Sequence, residues 1–153
     1  MFSQDRDGLR QAYLEAWRKA HANEALEPLE RQIVEVARQH PEYHGLLEQG
    51  ERALGREWRP EDGETNPFLH MGLHIALQEQ VSTDRPTGIR RLYKAMIGEC
   101  LGNVHDAEHR IMECLAEELW KAQSQGREFR QKAYLKCVRQ RGGGRRKAVF
   151  ATR

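Results

Sequence analysis

Six of the seven histidines in this 153-residue chain form pairs with the spacing His-x-x-x-His. The pairs are His40/His44, His70/His74 and His105/His109. Composition alone would produce roughly 0.3 such pairs in a chain of this length. Residues four apart on a helix share one face, with Cβ atoms about 5–6 Å apart. Each pair is therefore spaced so that both imidazoles can bind one metal ion.

Carboxylates stand at useful distances from two of the pairs. Glu113 follows His109 by one helical turn, so His105, His109 and Glu113 form a stripe on one helical face. Glu48 stands in the same relation to His44. Imidazoles combined with one or two carboxylates favour iron, manganese or zinc, because magnesium and calcium prefer mostly oxygen ligands.

Two kinds of metal centre are compatible with these spacings. A mononuclear centre would use His70, His74, His105 and His109, with or without Glu113. A dinuclear centre would add His40, His44 and a bridging carboxylate. The His40/His44 pair is the least secure of the three, because Pro41 follows His40 and a residue before proline avoids the helical region.

The chemistry of such a centre depends on whether the ligands leave a position open. An open metal could activate water or dioxygen, and Glu108 or Glu113 would then be the proton acceptor. A metal enclosed by its ligands would be structural. The chain contains no H-E-x-x-H, no phosphate-binding glycine loop and no G-x-S-x-G, so common hydrolase and nucleotide-binding mechanisms lose support.

The elements that must position these residues are predicted to be helices. Apolar residues recur at three- and four-residue intervals along most of the chain, and strand-like alternation is no longer than chance. Asn66 is a predicted cap, with Pro67 at the first helical position. The predicted helices cover residues 4–22, 28–39, 46–54, 67–80, 89–100, 104–125 and 129–138. The fold class is therefore all-α: a single-domain antiparallel bundle of six to seven helices over residues 1–140.

The net charge of +2 conceals a basic C-terminal segment. Residues 127–153 contain ten basic residues and one acid, whereas the preceding residues contain fifteen basic and twenty-two acidic ones. Residues 141–153, rich in glycine and arginine, are predicted to be a flexible tail. The tail could contact nucleic acid or an acidic protein, or it could be solubilising or dock on the acidic body.

The cysteines and the hydropathy predict a cytoplasmic protein without a membrane span. Cys100, Cys114 and Cys137 form no Cys-x-x-Cys motif and are odd in number, which favours free thiols in a reducing compartment. No apolar run approaches the roughly 18–20 residues that cross a bilayer. The first residues lack the basic-then-apolar order of a secretory signal.

Three segments together resemble a small bacterial family known as domain-of-unknown-function family 1841. They are HPEYH at 40–44, NPFLHMGLH at 66–74 and AEHRIMECL at 107–115, accompanied by QDR at 4–6 and TDRP at 83–86. The likeness covers about residues 1–138 and leaves the tail outside. The family implies no activity. Haemerythrin-like and DinB-like metal-binding bundles are similar in architecture only, because their ligand patterns do not match this chain.

Two hypotheses follow from the sequence. The first is a bacterial helical bundle that holds a transition metal through its histidine pairs, with oxidative or hydrolytic chemistry. The second is a non-enzymatic interaction protein in which the histidines are structural and the tail contacts its partner. Buried imidazoles also cap helices, stack on aromatic rings and bind carboxylates, so the geometry of the rings must discriminate between the two.

Overall fold

A computed structural model of the chain describes residues 2–59 and 63–142. These residues form seven α-helices and two short 3-10 helices, and the described ranges contain no strand, which confirms the predicted all-α class. The α-helices are α1 Phe2–His21, α2 Pro28–Arg38, α3 His44–Glu48, α4 Pro67–Thr83, α5 Ile89–Glu99, α6 Val104–Ser124 and α7 Gln131–Arg141. The 3-10 helices are Pro41–Tyr43 and Gly50–Ala53. Residues 143–153 of the predicted tail lie outside the described residues.

Helix α4 begins as its local sequence predicts. The Asn66 side-chain oxygen accepts hydrogen bonds from the backbone N–H groups of Phe68 at 2.9 Å and Leu69 at 3.2 Å. These bonds satisfy two donors that have no partner within the helix, so Asn66 is a true cap. The helix continues to Thr83, slightly beyond its predicted end.

The chain divides into two compact units, Met1–Ile75 and Ala76–Arg153, with the boundary inside α4. In the first unit, α1 packs against α2 and α3. The apolar periodicity of these short helices directs one face of each inward. The resulting core contains Tyr13, Ala16, Trp17, Ile33, Val34, Val36, Ala37, Leu46, Leu47, Phe68 and Met71.

A buried arginine ties α1 to the loop that follows Ala53. Arg10 is 2% exposed, and its Nη1 donates to the backbone carbonyls of Leu54 and Arg56, both at 2.7 Å. The guanidinium also lies over the rings of Trp58 at 5.2 Å and Phe68 at 5.1 Å. Arg10 thus holds a stretch of irregular backbone with charge-assisted hydrogen bonds and cation–π contacts.

In the second unit, α6 packs against α5 and α7. Its core contains Ile89, Met96, Ala107, Ile111, Met112, Leu115, Tyr134 and Val138. Glu118 on α6 is buried and accepts hydrogen bonds from Arg127 Nη1 at 2.6 Å and from the backbone N–H of Arg130 at 2.8 Å. One carboxylate therefore fixes the connection that leads into α7.

A disulfide joins Cys114 on α6 to Cys137 on α7, so the prediction of free thiols is wrong for these two cysteines. Their Cα atoms lie 5.8 Å apart, a separation that a disulfide can bridge. Cys100 is free. The predicted cytoplasmic location loses the support that three free thiols would have given it, and it stays a prediction. Within the described residues, no helix combines the length and apolar character that crossing a bilayer requires.

Candidate metal centre

Three of the predicted ligands meet in the first unit. His70 and His74 lie one turn apart on α4, and their ring centroids are 5.1 Å apart. His40 lies between α2 and the first 3-10 helix, and its ring is 4.9 Å from each of the other two. All three side chains are buried. Burying polar rings is costly unless they form hydrogen bonds or bind a metal ion.

The ring of His40 is already oriented by the backbone of α2. Its Nδ1 lies 2.8 Å from the carbonyl oxygen of Val36, and because a carbonyl only accepts, Nδ1 must donate. A neutral imidazole that donates from Nδ1 carries its lone pair on Nε2. Metal-bound histidines are commonly held in this way. The ring also stacks on Tyr43, with centroids 5.1 Å apart and an interplanar angle of 8°.

His44, the predicted partner of His40, faces a different environment. Its Nε2 lies 2.9 Å from the carbonyl oxygen of Ala37, and its ring lies 4.5 Å from that of Trp17. The two residues are not on one continuous α-helix, because Pro41 begins a 3-10 turn between them. The change of helix type explains why the four-residue spacing does not bring these two rings together.

In the second unit, α6 presents His105 and His109. The helix begins after Asn103, whose side chain accepts a hydrogen bond from the backbone N–H of Asp106 at 3.0 Å. The two rings have centroids 4.1 Å apart. His109 is buried and His105 is half-buried. The two histidines of the predicted stripe therefore lie side by side on α6.

Four histidines meet the distance condition for a metal site. One ligand nitrogen from each of His40, His74, His105 and His109 lies within 4.8 Å of all the others. With bonds of about 2.1 Å, tetrahedral zinc needs ligand nitrogens roughly 3.4 Å apart, a spacing within the 4.8 Å that the four nitrogens satisfy. All four belong to the set of ligands predicted from the sequence. Their identity as ligands stays a prediction.

The other predicted site residues lie outside this group of four. His70 neighbours it through His40 and His74. Glu113 is buried and forms an ion pair with Arg141 at the end of α7. The sequence did not indicate this pairing, because Arg141 was assigned to the tail and only the packing of α7 on α6 brings it near. The role of Glu113 as ligand or proton acceptor stays a prediction.

Glu108, the other candidate proton acceptor, is buried within a hydrogen-bonded cluster. The Tyr93 hydroxyl donates to it at 2.5 Å, and Gln78 Nε2 lies 3.3 Å from both carboxylate oxygens. Burial, together with the hydrogen bond to Glu108, raises the pKa of Tyr93 well above its ordinary value. Tyr93 is therefore a neutral phenol at pH 7. Tyr93 comes from α5, so helical spacing alone could not have identified it.

The comparisons with known proteins give one family. A family model described as Domain of unknown function (DUF1841) matches residues 5–140, which is most of the chain. Neither the curated proteins nor the solved structures include a match.

Proposed function

We propose that this chain, which belongs to the family described as Domain of unknown function (DUF1841), binds a transition-metal ion through four histidines. The proposed ligands are His40, His74, His105 and His109. The observation that supports the proposal is the mutual distance of their ligand nitrogens, all within 4.8 Å. The Val36 carbonyl adds support, because it directs the lone pair of His40 to Nε2.

Among the iron, manganese and zinc predicted from the sequence, the donor set favours zinc or iron. Imidazole nitrogen suits zinc, iron, copper and nickel, whereas manganese is better served by oxygen ligands. The nearby carboxylates have protein partners, because Glu108 binds Tyr93 and Glu113 binds Arg141. Thiolates are also not offered by Cys114 and Cys137, which are bonded to each other. An all-imidazole site is therefore the arrangement we propose.

The coordination number decides what such a metal can do. Tetrahedral zinc held by four imidazoles is closed to water, and its role would be structural. If the metal has five or six coordination positions, the four histidines leave at least one of them for water or dioxygen. Hydrolytic or oxidative chemistry would then follow. Cobalt substitution distinguishes these cases, because the visible spectrum of Co²⁺ differs between four and higher coordination.

The test is elemental analysis of full-length protein purified without a histidine tag. We expect stoichiometric metal in the wild-type protein and its loss in the variant His74→Ala/His109→Ala. The matched control is His21→Ala/His44→Ala, which removes two imidazoles outside the group and should keep the metal. Circular dichroism establishes that each variant is folded.

A thermal scan provides a second readout, because an ion that binds only the native state raises its melting temperature. Addition of Zn²⁺ or Fe²⁺ should stabilise the wild-type protein and the control, and a chelator should reverse the effect. Folded, metal-free wild-type protein whose melting temperature ignores both the metals and the chelator would reject the proposal and favour structural histidines.

A further inference from the structure

A groove runs along α1 within the first unit. It consists of two adjoining cavities, of about 760 Å³ and about 330 Å³, which share Trp17, His21 and Glu48. Helix α1 forms one wall, and α3 with the second 3-10 helix forms the other. All the residues that line the two cavities belong to the first unit. The larger cavity has the usual size of a small-molecule site, roughly 300–1,000 Å³.

The floor of the larger cavity is apolar and already in place. Leu14, Trp17 and Leu47 line this cavity and are buried. The ring of Trp17 packs against two imidazoles, because its centroid lies 4.5 Å from the ring of His21 and 4.5 Å from that of His44. A preformed apolar surface of this kind binds the apolar body of a ligand without a large ordering cost.

The charged residues that line the groove leave it negative. Three carboxylates and two guanidiniums line the two cavities: Glu15, Glu48, Glu51, Arg18 and Arg38. Arg18 is shared, because it donates to Glu15 at 2.7 Å and also to Glu24 at 3.1 Å. Arg38 lines only the smaller cavity. The negative charge is therefore concentrated in the larger cavity, where three carboxylates lie with one shared guanidinium.

The larger cavity also offers acceptors to a ligand. Glu48 and Glu51 are exposed, and neither forms an ion pair with another residue that the structure describes. His21 Nδ1 lies 3.0 Å from the carbonyl oxygen of Trp17, so it donates, and Nε2 of the neutral ring keeps its lone pair. An ammonium group carries three donors and a positive charge, which complement these acceptors.

We propose that the groove binds a small organic amine. Its protonated ammonium group would lie at Glu48 and Glu51, and its apolar body would cover Leu14, Trp17 and Leu47. The ammonium group belongs in the larger cavity, because the like charge of Arg38 opposes it in the smaller one. This inference does not depend on the proposed metal site, whose four histidines do not line the groove.

A nuclear magnetic resonance titration of the isotope-labelled, full-length protein at pH 7 tests the proposal with three probes of similar shape. Phenylbutylamine is positive, phenylbutanol is neutral and phenylpentanoate is negative, each with its polar group at the end of the chain. We expect the amine to bind with a dissociation constant on the order of 1 mM. The alcohol should bind about five- to tenfold more weakly, because it forms no ion pair with either exposed carboxylate. The anion should bind more weakly still.

The indole N–H resonance of Trp17 shows whether a probe is in the groove, and a Trp17→Phe variant assigns it. Nε1 of Trp17 is buried and has no hydrogen-bond partner among the described residues, so a change in its resonance reports on a molecule placed against the ring. This resonance should move during the amine titration. The indole resonances of Trp58 and Trp120, which do not line the groove, should stay in place.

The role of the two carboxylates is tested with Glu48→Gln/Glu51→Gln. This variant should bind the amine about five- to tenfold more weakly than wild type does, since two exposed ion pairs are lost. It should bind the alcohol as wild type does, which also shows that the groove is intact. The matched control Glu35→Gln/Glu42→Gln removes two exposed carboxylates of the same unit that do not line the groove, and it should behave as wild type.

Arg38→Gln gives a change of opposite sign. It should tighten amine binding about twofold, because it removes a positive charge that lines the same groove. Weaker amine binding by this variant, or tighter binding of the anion than of the amine by wild type, would overturn the proposal and assign the groove to an anion. Equal affinities for amine and alcohol, an unmoved Trp17 resonance, or equal amine binding by the Glu48/Glu51 variant and its control would also overturn it.

Discussion

Removing the disulfide between α6 and α7 should destabilise the protein by an amount that can be worked out from the chain. Cys114 and Cys137 are 23 residues apart in the sequence. Cross-linking a loop of this length removes conformational entropy from the unfolded state worth about 3–3.5 kcal/mol at 25 °C. Cys137→Ala deletes the cross-link at a half-buried position, so little packing is lost with it.

Urea unfolding followed by circular dichroism measures the effect. For a chain of this size, the predicted loss lowers the midpoint by about 1–2 M urea. Cys100→Ala, which removes the free thiol, is the control and should change the midpoint little. A reductant present throughout unfolding should bring the wild-type protein close to Cys137→Ala. If non-reduced wild type and Cys137→Ala unfold at the same midpoint, the reasoning is wrong.

Two other predictions concern buried charges. Arg10→Ala removes two hydrogen bonds to loop carbonyls and two aromatic contacts, so it should lower the free energy of unfolding in urea by about 2–4 kcal/mol. Arg10→Lys should recover only part of this stability. Full recovery would contradict the role assigned to the planar guanidinium. The hydrogen bond from Arg127 lowers the pKa of Glu118 below its ordinary 4.5. Its stabilisation is fully present above 4.5 and is lost as the pH falls through the lowered pKa, so the advantage of wild type over Glu118→Gln should shrink as the pH falls below 4.5. A constant difference would exclude the linkage.

Much of the helical organisation could be predicted because its signals are local. Two helix starts are predicted from two or three residues each: one by Asn66 with Pro67, the other by Pro28 after a polar break. In the structure, α4 and α2 begin at these prolines. The apolar stripe of α6 likewise needs only its own sequence to be recognised. Boundaries that depend on packing were less predictable, as Arg141 shows by belonging to α7 rather than to the tail.

The residue type of the candidate ligands could be predicted, but the sequence could not show which of the six paired histidines lie together. The His-x-x-x-His spacing indicated all four histidines of the group, since residues one turn apart share a face. It could not indicate that His40 would point toward His74 while His44 turns to Trp17, because that depends on the 3-10 turn after Pro41. The disulfide could not be predicted for a related reason. Cys114 and Cys137 lie on different helices, and only the packing of α7 on α6 brings them close enough to bond.

The long-range links described for the two units differ in chemical kind. In Met1–Ile75, Arg10 connects α1 to backbone more than forty residues later through a guanidinium that no reductant alters. In Ala76–Arg153, the corresponding link is a sulfur–sulfur bond. Dithiothreitol therefore acts selectively on this molecule. It can reduce the disulfide that links α7 to α6, while the hydrogen bonds of Arg10 remain. Hydrogen exchange in the presence and absence of thiol would reveal that contrast residue by residue.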